Sequence, residues 1–169
     1  MRVVAALTTI PGRREWGRCA LAYGLFLIGA VPLGFLTGLL RPSTPHMSAP
    51  QMLLTALIVF VHPALSEELV FRVLLLPRDP ASMRRSRALS ISAVALTLYV
   101  AAHPLNAMLV RPQALALFLS PAYLALAALL GATCTAAYFI SRSIWPSVVI
   151  HWLTVIVWLW FLGGQALLC

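Results

Sequence analysis

Two adjacent carboxylates followed at four residues by a guanidinium, Glu67-Glu68-x-x-x-Arg72, stand inside an apolar run of the chain. Two histidines, His103 and His151, stand inside two other apolar runs. A charge placed in lipid costs at least about 2.5–3.5 kcal/mol by insertion scales, so three in one segment need a reason. Glu68 and Arg72 are i and i+4 with the carboxylate N-terminal, the favourable order for a helical ion pair in which each neutralises the other. Glu67 is rotated about 100° from Glu68 and has no local partner. A carboxylate and a histidine that share one water can deprotonate it. A second histidine can then donate to the oxyanion formed when that water attacks a carbonyl. Glu67, His103 and His151 are candidates for this chemistry, which is hydrolysis without a covalent intermediate. No serine stands beside a histidine at a readable spacing, and Ser66 points to another side of its helix than Glu67, so a serine nucleophile is not expected.

The elements that must position these residues are membrane helices. Of the 169 residues, 62% are apolar and 9% charged, and the mean hydropathy is +0.94. Soluble domains carry about 45–50% apolar and about 25% charged residues. A bilayer core takes about 20 helical residues, and five segments offer them: about 19–40, 51–76, 88–110, 121–140 and 146–168. Pro121 divides the longer stretch from Pro112 and leaves a short interfacial piece at 112–120. The fold class is therefore all-α, a polytopic helical membrane protein of about five spans. A cytoplasmic N-terminal segment, 1–18, precedes one transmembrane domain, 19–169. Ala30, Gly34 and Gly38 form a small-residue ridge that admits a neighbouring helix. Trp145 reads as an interfacial anchor. Cys19, Cys134 and Cys169 lack metal-ligand spacing and read as packing residues. Pro63 follows His62 and Pro104 follows His103, so each span loses a backbone hydrogen bond beside a polar group, which favours a wet cavity. His46 falls in an outer connector, and His62 reads as a packing or hydrogen-bonding residue.

The net charge of +8 is carried by arginines placed mainly between apolar runs, so it is a topology signal rather than a nucleic-acid footprint. With the N-terminus in the cytoplasm, that side holds Arg2, Arg13, Arg14, Arg18, Arg78, Arg84, Arg85, Arg87 and Arg142, against Arg41 and Arg111 outside. At about 1.5 Å per residue, Glu67 lies about 14 Å and His151 about 9 Å from the cytoplasmic edge. His103 lies about 22 Å from it, or about 15–18 Å if the polar stretch from Ser86 to Ser92 sits among the headgroups.

At these positions the chain resembles the CAAX-processing and bacteriocin-processing membrane endopeptidases, also called the abortive-infection or glutamic-type intramembrane protease family. The resemblance rests on three motifs in order: Glu67-Glu68-x-x-x-Arg72 for EExxxR, Tyr99-x-x-x-His103 for FxxxH with Tyr in place of Phe, and His151 opening HxxxN. The similar apolar context extends over about 50–165. It implies that Glu67 and His103 activate water and that His151 helps to hold the oxyanion, with Glu68, Arg72 and Tyr99 in support. Where the family motif has a second oxyanion donor, Asn, this chain has Val155. Asn106, the one asparagine, three residues after His103, is the first candidate replacement, and Thr154 the second. The resemblance implies a peptidase of membrane-associated protein substrates, prenylated ones included, in a bacterial plasma membrane, with no cofactor, metal or nucleic-acid partner. Two other classes stay open, a metal-dependent membrane hydrolase and a transporter or scaffold. The chain has no HExxH helix to favour the first and no visible inverted repeat to favour the second.

Overall fold

A computed structural model describes residues 2–44 and 47–168, without the side chain of Arg2. His46 and Cys169, both weighed above, lie outside the described residues. The chain folds as α1 (Arg2–Thr8), α2 (Arg13–Leu36), α3 (Ala49–Leu74), α4 (Arg85–Val110), α5 (Leu115–Phe118), α6 (Pro121–Ser141), α7 (Trp145–Phe161) and α8 (Gly164–Leu168), with no strand among the described residues. Helices α2, α3, α4 and α6 are long and apolar enough to cross a membrane, and α7 is a shorter apolar helix. Large apolar residues such as Leu21, Leu25, Ile28, Leu53 and Leu57 face outward, as a lipid-facing surface requires.

Local chemistry sets the boundaries. The Gln51 side chain accepts from the Ser48 N–H (2.9 Å) at the start of α3. At the start of α6, Ser120 Oγ accepts from the Tyr123 N–H (3.3 Å), just before Pro121. Gly38 (φ +72°) and Gly163 (φ +81°) take left-handed turns after α2 and α7. The last span is thus shorter than the expected 146–168, because the backbone turns at Gly163 and α8 is a separate helix. The first is displaced from the expected 19–40 to Arg13–Leu36. Its first turn begins with two arginines, whose long side chains can reach the headgroups.

The helices meet through small residues. Cys19, Phe26 and Ala30 of α2 pack against Leu130, Cys134 and Ala137 of α6. The expected ridge is only partly realised. Gly34 is covered by Leu40 of the chain's own turn, and Gly38 lies beyond the helix. Cys19 and Cys134 are buried, as packing residues. Gly131 brings α6 against α4 so closely that a Cβ there would lie 2.7 Å from the Tyr99 ring and 2.8 Å from Leu96.

The connectors separate cleanly to two ends. At one end Ser143 Oγ donates to the Thr9 carbonyl (2.7 Å), Arg78 Nη2 donates to Thr9 Oγ1 (2.7 Å), and Arg142 pairs with Asp79 (3.2 Å). The Trp145 indole N–H donates to the Leu7 carbonyl (2.8 Å), so this residue, expected as an interfacial anchor, ties α7 to α1. At the other end the Arg41 N–H donates to the Leu162 carbonyl (3.2 Å) and the Ser43 N–H to Phe161 (2.9 Å).

Gly131→Ala should lower the stability of the bundle by about 1–3 kcal/mol, the usual cost of overpacking. Thermal unfolding in detergent reads this directly, and an unchanged midpoint would contradict the close α4–α6 approach.

Candidate active site

The site begins with a break in α3. At His62 the backbone is extended (φ −141°, ψ 118°), and Pro63 cannot donate a helical hydrogen bond. The helix resumes in a new direction and carries Glu67 and Glu68 on different sides. Glu68 points into the bundle with a side-chain exposure of 0%, whereas Glu67 keeps 20%.

Glu68 is the hub of the buried charges. Its Oε2 lies 3.0 Å from Arg72 Nε, and its Oε1 accepts from His151 Nδ1–H at 2.9 Å. Arg72, at 2% exposure, also donates through Nη2 to the Gly131 carbonyl (3.1 Å) and places its guanidinium carbon 4.6 Å from the Tyr99 ring centre. The expected Glu68–Arg72 pair is present, and the structure adds a second duty to Glu68. It holds the His151 imidazole by one nitrogen and leaves Nε2 directed elsewhere.

That second nitrogen lies 4.0 Å from Glu67 Oε2. Glu67 Oε2 has no hydrogen-bond partner among the described residues. Glu67, His103 and His151 all line one cavity of about 540 Å³, within the range of ligand sites. His103 Nδ1 lies 2.9 Å from the Tyr99 carbonyl. A carbonyl can only accept, so Nδ1 carries the proton and a neutral ring keeps the Nε2 lone pair free. The Tyr99 ring meets both histidines edge-on, with centres 4.9 Å from His103 and 6.2 Å from His151. Three apolar runs far apart in sequence thus deliver two imidazole nitrogens and one carboxylate oxygen to a common space.

The oxyanion candidates differ in availability. Asn106 lines the cavity, and its side chain makes no hydrogen bond to any described residue. Thr154 donates its hydroxyl proton to the Ile150 carbonyl (2.8 Å), which weakens its candidacy. Val155 packs with Ala56, Val59 and Ile156. Sequence reasoning missed Tyr123, whose ring centre lies 5.6 Å from that of His103 on the cavity wall. Its position in the first turn after Ser120-Pro121 was the available signal. It also missed a serine beside a histidine. His62 Nδ1 and Ser66 Oγ are 2.9 Å apart, because i and i+4 meet across one turn even at the break. Ser66 Oγ additionally reaches the Pro63 carbonyl at 3.3 Å. Among the described residues no group of three or more His, Cys, Asp and Glu side chains is arranged to hold a metal ion.

Apolar helices long enough to cross a membrane, gathered around a cavity lined by an acid and two histidines, define a polytopic integral membrane protein. A model of the Rce1-like family, described as type II CAAX prenyl endopeptidase Rce1-like, matches residues 49–157, more than half of the chain. The chain belongs to this family of membrane proteases. No curated protein and no solved structure gives a match.

Breaking the hub from one side should be costly. Glu68→Gln or Arg72→Met alone leaves a buried partner uncompensated, and each should destabilise the protein by about 3–5 kcal/mol. The double variant Glu68→Gln/Arg72→Met should recover part of that loss. A double-mutant cycle of thermal stability in detergent measures the coupling, and strict additivity would show that the pair is not energetically joined.

Proposed function

We propose that the protein is a glutamic-type intramembrane endopeptidase that hydrolyses peptide bonds of membrane-associated, including CAAX-type prenylated, substrates with an activated water. The observation that carries this reading is the convergence of Glu67, His103 and His151 on one cavity, with His151 clamped from behind by Glu68. Family membership supports the protease class.

In this mechanism Glu67, assisted by His103 Nε2, takes a proton from water as the water oxygen attacks the scissile carbonyl carbon. The carbonyl π electrons move onto oxygen. His151 Nε2, when it carries a proton, and the Asn106 amide donate hydrogen bonds to that oxyanion. Collapse of the tetrahedral intermediate breaks the C–N bond, and the proton held by Glu67 passes to the leaving nitrogen. The Nδ1–H bond from His151 to Glu68 fixes which His151 nitrogen faces the reaction. Tyr99 positions both imidazoles through its ring and through its carbonyl. Nothing in this sequence of steps requires a cofactor. The arginine distribution supports a cytoplasmic N-terminus.

Cleavage of a panel of peptide and lipidated substrates by detergent-purified protein, with metal analysis of the same preparation, tests the reading. Glu67→Gln should fold normally and lose about 10²–10⁴ in turnover, the usual worth of a general base. Normal cleavage by that variant overturns the assignment, and one tightly held metal per chain lost together with activity would replace it with a metal-dependent reaction. Asn106→Ala should cost about 10²–10³ in turnover, the usual worth of one oxyanion donor, with partial rescue by Val155→Asn. Parental activity in Asn106→Ala removes that residue from the oxyanion site.

A further inference from the structure

The arginines between α3 and the first turn of α4 are of two kinds. Arg78 donates to Thr9 Oγ1 (2.7 Å) and to the Arg142 carbonyl (3.4 Å), so it belongs to the bundle's own hydrogen bonding. Arg84, Arg85 and Arg87 are exposed, and their side chains make no ion pair or hydrogen bond to any described residue.

The chain offers no acid to neutralise them. Its acidic residues are four, Glu15, Glu67, Glu68 and Asp79, against twelve arginines. Glu67 lines the cavity, and Glu68 is held by Arg72 and His151. Asp79, the acid nearest in sequence, pairs with Arg142 (3.2 Å) and accepts from the Ala81 N–H (3.3 Å). Glu15 belongs to the start of α2, and the first turn of α4 contains no acid. An anion that neutralises these arginines must come from outside the chain.

The surface beside them indicates its kind. Arg85, Ala88, Leu89 and Ser92 recur at i, i+3, i+4 and i+7 and so share one face of α4. With Pro80, Ala81 and Met83 of the connector and Phe139 of α6, that face lines a groove of about 320 Å³. Phe139 packs behind the groove on the buried cluster around Ala6 and Ile144, which gives it a firm wall. Apart from Arg85 the only polar side chain in the lining is Ser92, whose hydroxyl donates to the Ala88 carbonyl (2.9 Å). Leu89 is 60% exposed, as on the rest of the lipid-facing surface. Charge at one end and apolar wall along the rest match an amphiphile. A nucleic acid or an acidic peptide would meet the arginines and leave the groove unfilled.

We propose that this groove binds one anionic phospholipid, with its phosphate against Arg84 and Arg85 and an acyl chain along Ala88, Leu89 and Phe139. Arginine suits the phosphate because its planar fork of N–H groups pairs with two oxygens at once. Arg87 lies about 200° around the helix from Arg85 and does not line the groove, so it carries the same charge without the same role.

Native mass spectrometry of the detergent-purified full chain, with phosphatidylglycerol and phosphatidylcholine of identical acyl chains in equal amounts, tests this without any catalysis. One phosphatidylglycerol per chain should be retained in preference to phosphatidylcholine. Arg84→Gln/Arg85→Gln should weaken that retention about 30-fold, the worth of two arginines at a lipid surface. Arg84→Lys/Arg85→Lys, which keeps the charge, should preserve most of it. Ser92→Phe, which fills the groove at constant charge, should lose the lipid, and Arg87→Gln should hold it as the parent does. Equal retention of the two lipids, or parental retention by Arg84→Gln/Arg85→Gln, overturns the proposal. A loss in Arg87→Gln equal to that in the double variant shows diffuse attraction and overturns it too. So do undiminished binding by Ser92→Phe and displacement of the lipid by millimolar inorganic phosphate, because either shows that the anion alone is held. As the three arginines are exposed and unpaired, their variants should share the parent's thermal midpoint in lipid-free detergent. Added phosphatidylglycerol should raise that midpoint in the parent and in Arg87→Gln but not in Arg84→Gln/Arg85→Gln, and an equal rise in all three contradicts the site.

Discussion

A buried carboxylate with a side-chain nitrogen against each of its two oxygens ties the helices of this structure to one another. Glu68 faces Arg72 on one oxygen and His151 on the other, with no exposure to relieve the cost of its charge. Ion pairs of this kind gain little over apolar packing when whole and lose much when halved. The value of this one lies in what it orients. Arg72 reaches across to the Gly131 carbonyl and stacks on Tyr99, so α3, α4 and α6 meet at a single guanidinium, and Glu68 adds α7 through His151. Four helices are thereby registered at the depth where the chemistry is proposed to occur. Without hydrophobic drive between helices in lipid, such polar contacts and close small-residue approaches are the means by which register is chosen.

The same hub divides the molecule into two differently packed parts. On one side of it lies a packed plug into which α1 is folded, and on the other lies an apolar cavity. Glu67 stands at the boundary, one residue from the hub and rotated away from it. The neighbouring carboxylates have different neighbours, one saturated by partners and one with an oxygen free for a molecule in the cavity. On the proposed reading, this division of labour between adjacent acids accounts for why the segment carries both despite the cost of charge in lipid.

The break at His62 has a comparable role in backbone terms. A straight α3 would carry its acids along one fixed helical phase, whereas the extended residue before Pro63 lets the second half of the helix adopt its own direction. His62 and Ser66 satisfy one another across this break. Val155 is the counterpart on α7: an apolar residue one turn after His151, it packs toward α3 instead of adding a polar group to the cavity.

Composition and motif spacing already determined the helical membrane class and the Glu68–Arg72 pair, and they singled out Glu67, His103 and His151 as residues that a common cavity could gather. Each of these follows from local facts: the length of an apolar run, the i to i+4 meeting of side chains, and the penalty that makes any charge in lipid conspicuous. Helix ends were less legible. Gly163 could have been passed through by a helix, and only the seating of the connector after α2 against it shows why the chain turns there. The bond from His151 to Glu68 joins residues 83 apart, and no spacing rule reaches that far. Nor could sequence show that the N-terminal residues are packed into the bundle, because Ala6 is buried in a cluster to which residues distant in sequence, from α3 to α7, contribute. The cavity itself was likewise decided by tertiary structure. Periodicity assigns residues to faces of a helix, but which faces enclose space and which exclude it depends on how all the helices pack.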